Sequence, residues 1–291
     1  MLDGQPNRDR LRGIILLVVS VSLFGAVDGI SKMLADTQSL GQIVLARYAL
    51  AVPVLLATTP PTNWARLFQT TRPGLQILRA IAPLIIGGAM VLAVRYLPLA
   101  DATAILFAGP FLVVALSAPM LGERVRVASW IGVIVGFTAV LVVARPGFGE
   151  VSQYTAFPLI AAVFYALFQL MTRRLGAAGE DPNTTLAWTL ATGLMVAVPF
   201  AILTWAPASP TTWLLMIALG LVFGAAQALM ARAFVHAPAN VLTPFSYAQI
   251  IAATIFGVVV FGAVPDPGTL LGIAMIIVAG VYVVRSQEAD R

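Results

Sequence analysis

The chain is 291 residues long, 60% hydrophobic and only 10% charged, with a net charge of +5, one histidine and no cysteine. A soluble domain carries about 25% charged residues, so this composition excludes a soluble globular protein and defines an integral membrane protein. The basic residues are scattered at the ends of apolar segments and do not form the single patch that nucleic acid requires, so no nucleic-acid partner is expected. Without cysteine there is no disulfide framework, thiolate metal site or cysteine nucleophile, and His236 alone cannot build a transition-metal centre; no metal and no cofactor are expected.

Arg8, Arg10 and Arg12 precede an apolar run from Gly13 to about Leu34. A secretory signal starts the same way but ends in a small-residue cleavage pattern. This run has none and exceeds the roughly 20 residues needed to span a bilayer, so it reads as a retained helix. Apolar segments follow at about 41–58, 75–95, 101–121, 127–145, 154–173, 184–205, 212–232, 239–262 and 268–285. Ten spans result, joined by connections too short for a soluble domain. Placing the N-terminus inside puts Arg8, Arg10, Arg12, Arg66, Arg72, Arg79, Arg124, Arg126, Arg173, Arg174, Arg232, Arg285 and Arg291 at cytoplasmic ends, against Lys32, Arg47, Arg95 and Arg145 elsewhere, which is thirteen to four. Positive residues stay on the cytoplasmic side, so both termini are expected inside.

The first span carries Asp28 and the one lysine, Lys32, four residues apart and so on one helical face. Charges inside a bilayer are costly and usually face a protein interior or an aqueous cavity. A rise of 1.5 Å per residue puts Asp28 about 21 Å across from Ile14, and Arg47 about 9 Å below the outer surface on the second span, so the two share a level. Two readings stand side by side: a buried ion pair with Lys32 reaching the outer interface, or a site in which Arg47 and Lys32 take a carboxylate or phosphate and Asp28 takes an amine or a proton.

The sequence repeats itself. A shift of 140 residues pairs Met90 with Met230, Pro98 with Pro238, Gly122 with Gly262, Gly132 with Gly272, Ala139 with Ala279 and Arg145 with Arg285; a shift of 141 pairs Phe24 with Tyr165, Ser31 with Thr172 and Lys32 with Arg173. Each copy holds five spans, an odd number, so the second enters the membrane inverted. Inverted repeats are how many secondary transporters build a central site with two access routes.

The stretch Arg95-Tyr96-Leu97-Pro98 with Ala100 to Pro110, then Leu121-Gly122-Glu123-Arg124, Trp130-Ile131-Gly132, Gly136 and Ala144-Arg145-Pro146-Gly147 resembles the EamA repeat of the drug/metabolite transporter superfamily. The resemblance covers 11–145 and, more faintly, 153–285, and implies two inverted five-helix repeats with those bounds, ten transmembrane helices and carrier function. The second copy departs from the pattern with Ala263-Val264 in place of Glu123-Arg124, so Glu123 is read as a turn residue at the end of the fourth span. Asp28 and Lys32 with Gln42 and Arg47 also resemble a subgroup of these permeases with charged positions in the first two helices, some members being similar to S-adenosylmethionine carriers and others to organic-anion carriers.

Neutral polar residues complete a candidate site: Tyr165 and Gln169 one turn apart, Gln227, Tyr247 and Gln249, suited to a modest-sized amphipathic metabolite or else to bonding between helices. Phe107, Phe164, Phe168 and Phe245 read as packing. Pro110 and Pro244 fall within spans as kinks, and GxxxG spacings at Gly25/Gly29, Gly132/Gly136, Gly220/Gly224 and Gly268/Gly272 fit close packing within the chain, with a homodimer as the other use. The sequence has no GxSxG elbow, Walker A loop or HExxH pair, and no enzyme is expected. The whole reads as an all-α secondary transporter of the cell (inner) membrane that moves a small polar metabolite, amino-acid-like, organic-anion or nucleoside-like, by export or exchange. Substrate contacts are expected at Asp28, Lys32, Arg47, Tyr165, Gln169, Gln227, Tyr247 and Gln249, with Asp28 the residue for any proton coupling; the alternative is a membrane scaffold that binds a ligand without moving it.

Overall fold

The computed structural model describes residues 5–121, 127–145, 150–237 and 239–288. Glu123 with its neighbours Arg124 and Arg126, Pro146-Gly147, Pro238 and Arg291 lie outside the described residues. The described chain is helical throughout: α1 (Gln5–Ala35), α2 (Leu40–Ala49), α3 (Ala51–Thr58), α4 (Pro73–Tyr96), α5 (Leu99–Leu106), α6 (Ala108–Leu121), α7 (Val127–Ala144), α8 (Ala156–Ala177), α9 (Pro182–Leu203), α10 (Pro210–His236), α11 (Ala239–Leu242), α12 (Ala248–Phe261) and α13 (Pro267–Glu288). Among the described residues nine segments are long and apolar enough to cross a membrane, and Ser129–Ala144 within α7 is a shorter tenth.

Two spans are broken where the sequence removes a backbone donor. Proline cannot bond the carbonyl four residues back. Pro53 withdraws that bond from Ala49, the last residue of α2, and Leu50 separates α2 from α3. Pro110 withdraws it from Leu106, the last residue of α5, and Phe107 separates α5 from α6. Pro244 sits in a 3-10 turn, Thr243–Tyr247, that leads into α12. Pro83, by contrast, lies inside an unbroken α4.

Helices of the two halves interleave. α1 packs along α10 and α12, and α4 along α8 and α9. Small residues permit this closeness: a Cβ added at Gly25 would come within 3.0 Å of the Ala253 backbone nitrogen, Gly29 faces the Phe256 ring, and Gly220 and Gly224 face the α2–α3 junction. Gly132, Gly136, Gly268 and Gly272 likewise meet residues of the same chain. The GxxxG spacings are therefore used within the protomer. One apolar cluster joins α2, α3, α9 and α10 around Tyr48 and Leu219, and another joins α5, α6, α7 and α13 around Phe111 and Ile276.

Polar contacts tie the two ends of the bundle. At the face that carries the start of α1, Glu180 accepts hydrogen bonds from the Thr70 hydroxyl (2.7 Å), the Thr71 backbone and hydroxyl (3.0 and 2.8 Å) and the Gln76 amide (3.1 Å). These donors, the Thr70 hydroxyl first, hold its carboxyl below the usual carboxylate range. His236, at the end of α10, lies 4.0 Å from the Asp9 carboxylate. At the opposite face, Gln42 accepts from Ala206 N–H and donates to the Ala206 carbonyl (both 2.8 Å), Arg95 lies 3.8 Å from Asp36, and the Tyr96 and Tyr154 rings stack at 4.1 Å. Asp266, the N-cap of α13, accepts from Arg145 and from the backbone N–H groups of Gly268 and Thr269; the guanidinium holds its carboxyl down at about 2.

Candidate substrate cavity

A cavity of about 260 Å³ lies in the middle of the bundle. α1 lines it from Leu17 to Asp28, about 16 Å of helix. On α10 its lining extends to Phe234, two residues before that helix ends at the N-terminal face. α2 contributes Arg47 and Tyr48; α4 contributes Pro83 to Met90; the α5–α6 break contributes Leu106, Phe107 and Pro110. α8, α10 and the 3-10 turn with α12 close the remaining walls.

Six of the eight residues expected at the site meet here: Asp28, Arg47, Tyr165, Gln169, Gln227 and Gln249. Asp28 and Arg47 are each 6% exposed, and no ion pair joins them. Asp28 on α1 and Gln249 on α12 both line the cavity where these two helices pack together. Arg47 donates from Nη2 to the Ser31 hydroxyl (2.9 Å), which itself donates to the Val27 carbonyl (2.7 Å). Its guanidinium carbon lies 5.6 Å from the Phe223 ring centre, and its Nε is buried without a hydrogen-bond partner. The Nη1 group occupies the space beside Gly87, where an added Cβ would come within 2.8 Å of it. On α8 the Gln169 amide donates to the Tyr165 hydroxyl at 2.9 Å, fixing both polar heads on one face.

Lys32 and Tyr247 lie elsewhere. Lys32 Nζ donates to the carbonyls of Val94 (2.5 Å) and Leu97 (2.7 Å) and lies 5.7 Å from the Phe261 ring centre. It thereby caps the carbonyl-rich end of α4, where a cation is favoured. Together with the Tyr96–Tyr154 stack and the close approach of Gly29 to the Phe256 ring of α12, it packs the bundle beyond the cavity. Tyr247 is buried against Phe107, ring centres 5.2 Å apart. The tighter 3-10 winding of Thr243–Tyr247 turns each residue by about 120°, so Thr243, Ser246 and Gln249 reach the cavity and Tyr247 does not. Of the four phenylalanines read as packing, Phe107 and Phe168 line the cavity.

Arg79, expected at a cytoplasmic helix end, is buried, 8% exposed. It donates to the Thr172 hydroxyl (2.8 Å), the Thr189 hydroxyl (2.6 Å) and the Thr185 carbonyl (3.2 Å), and its guanidinium carbon lies 4.3 Å from the centre of the Phe168 ring, which walls the cavity. Its place six residues inside the α4 span was the available signal, together with Gln76 one turn earlier and threonines at 185 and 189 on one face of α9. Charge counting treated the residue as a loop marker.

The fold and cavity define a multi-pass helical membrane protein built around an internal cavity, which in a bacterium belongs to the inner membrane. The chain belongs to the EamA-like transporter family, whose family model matches residues 11–145 and 154–286. It is 26% identical to a riboflavin transporter of Vibrio cholerae (94% of this chain, 93% of the relative) and 28% identical to a pseudopaline exporter of Pseudomonas aeruginosa (95% and 97%). It is also 22% identical to an S-adenosylmethionine uptake transporter of Rickettsia prowazekii, over 96% of this chain and 94% of the relative. A solved crystal structure shares the fold over 98% of both chains, with a TM-score of 0.65 at 19% identity. The relatives are named as transporters, not enzymes, and small-metabolite transport is the functional class they support.

Proposed function

We propose that the protein is a secondary carrier that moves a small polar metabolite by alternating access between two inverted repeats, 11–145 and 153–285, with the N-terminal face in the cytoplasm. One observation carries the reading: the chamber lies at mid-membrane with its lining running along α10 to Phe234 near the N-terminal face, while Lys32, the tyrosine stack and the glycine-mediated α1–α12 contact pack the opposite side. A carrier holds its cargo at mid-membrane and opens one side at a time. A scaffold needs neither the depth nor the asymmetry. Under the proposed orientation this state opens inward.

Cargo contacts are assigned to Asp28, Arg47, Tyr165, Gln169, Gln227 and Gln249, while Lys32 acts at the seal and Tyr247 supports the wall through Phe107. Asp28 is the group that would carry a proton if transport is proton-coupled. The relatives include both an exporter and an uptake transporter, so the shared fold supports exchange as readily as export. The test is counterflow in proteoliposomes: purified protein is loaded with unlabelled riboflavin or S-adenosylmethionine and offered the labelled compound outside. Transient accumulation of label without an imposed gradient supports a carrier; saturable binding with no accumulation of any tested metabolite supports the scaffold.

A further inference from the structure

Resting on the carrier reading, the geometry points to an organic anion as cargo, with a carboxylate seated on the Nη1 side of Arg47. Three charged side chains surround the chamber: Asp28 and Arg47 in its wall, and Arg79 behind Phe168. Two are cations and one is an anion. Neither arginine forms an ion pair with a carboxylate among the described residues, and both are more than nine-tenths buried. A buried guanidinium without a counter-charge is costly, and partial satisfaction by hydroxyls, carbonyls and ring faces offsets only part of that cost.

The two arginines differ in what they leave open. Arg79 uses Nε and Nη1 on threonines and holds its guanidinium carbon 4.3 Å from the Phe168 ring centre. Arg47 uses only Nη2, on Ser31; Nε is orphaned, and Nη1 makes no protein hydrogen bond at the cavity wall by Gly87. Arginine is suited to carboxylates because its planar donors match their two oxygens. Arg79 acts as a positioning and specificity residue, since its positive charge over the cavity-lining Phe168 ring occupies that ring's cation attraction and disfavours a second, cationic group beside it. Asp28, on the α12 side, repels the cargo carboxylate and so sets which end faces Arg47.

Three probes share one skeleton and differ in charge: 3-phenylpropionate, 3-phenylpropionamide and 3-phenylpropylammonium. Binding to the purified full-length protein is read by thermal shift and calorimetry. We expect 3-phenylpropionate to bind and the amide and ammonium to bind at least about tenfold more weakly, the scale of one charge-assisted hydrogen bond. Arg47→Gln should abolish the preference, and Arg47→Lys, which keeps the charge should Gln fail to fold, should retain it in part. Arg79→Met should raise ammonium binding relative to carboxylate at an unchanged carboxylate pose, a shift that a purely structural role would not produce. No binding of 3-phenylpropionate, equal or tighter binding of the amide or ammonium, or a carboxylate preference that survives Arg47→Gln overturns the assignment. Counterflow of the same probes separates the two readings: carboxylate binding without counterflow removes the carrier and leaves the anion site, whereas counterflow of the ammonium alone leaves the carrier and removes the anion site.

Discussion

At Gly87 a missing side chain and the pose of Arg47 are one feature, because the space a Cβ would fill is held by Nη1. The atom that must give way in Gly87→Ala is the far end of a flexible side chain, not backbone, so the helix tolerates the change while the guanidinium turns from the cavity. We expect Gly87→Ala to weaken cargo binding about tenfold, about the loss of one charge-assisted bond, with a melting temperature within a few degrees of the parent; equal affinity in calorimetry would separate Gly87 from the site. Much of this residue scale was legible in the sequence. Asp28 and Arg47 announced themselves as charges at one depth of apolar helices, and Gln169, Gln227 and Gln249 as amides far from helix ends. Arg79 did not, because an arginine six residues from a helix start serves equally as an interfacial anchor, and only the threonines of α8 and α9 around it decide for burial. The lack of an ion pair between Asp28 and Arg47 was likewise beyond reach, since shared depth says nothing of azimuth.

Helix ends show how the elements are held and which contacts must break. Lys32 reaches from α1 to the last carbonyls of α4 and stands over Phe261 of α12, so one ammonium joins three helices across the sealed face. Replacing it by methionine keeps the bulk and removes the bonds. In Lys32→Met the sealed face should open more often, which a cysteine placed at Tyr154 would report as faster thiol labelling than in the same cysteine variant with Lys32 intact; an unchanged rate would make Lys32 an anchor and not a latch. α13 offers a pH test. Its N-cap Asp266 has a depressed carboxyl because Arg145 and two backbone N–H groups bind the ionised form. Its stabilisation is therefore complete above the ordinary carboxylate pKa and lost as pH falls through about 2. Asp266→Ala should lower stability by about 1 kcal/mol at neutral pH, the usual worth of such a cap, and that difference should shrink from about pH 5 downward. A difference that persisted into strong acid would show that the carboxylate charge is not what the helix uses. The break at Pro110 and the turn at Pro244 were legible as prolines within spans, but the break before Pro53 was not, nor was the consequence for Tyr247: distance from a helix end says nothing of azimuth, and a 3-10 turn changes the angular step per residue.

For the whole molecule, the ten-span count was legible because each hydrophobic run is bounded by arginine, proline or glycine, and the structure returns nine long apolar segments and a shorter tenth among its described residues. Orientation is set by chemistry outside the bundle, and it decides what the cavity means: its lining extends along α10 toward the N-terminal face, so under the carrier reading the structure faces inward if that face is cytoplasmic and outward if it is not. The arginine bias favours the first. The absence of cysteine allows a clean test, since a single introduced thiol is the only one a maleimide can modify. Asn63, in the exposed turn after α3, and Thr204, at the exposed end of α9, lie on opposite faces. In intact cells an impermeant maleimide should label Thr204→Cys and spare Asn63→Cys until the membrane is permeabilised. The reverse pattern would turn the chain over, make the present state outward-open and place Arg47 deep below the external surface, so that cargo would be captured from outside and delivered by opening the seal at Lys32. Labelling of both sites in intact cells would remove the ten-span crossing pattern itself, because two sites on one face are separated by an even number of spans, whereas five lie between Asn63 and Thr204.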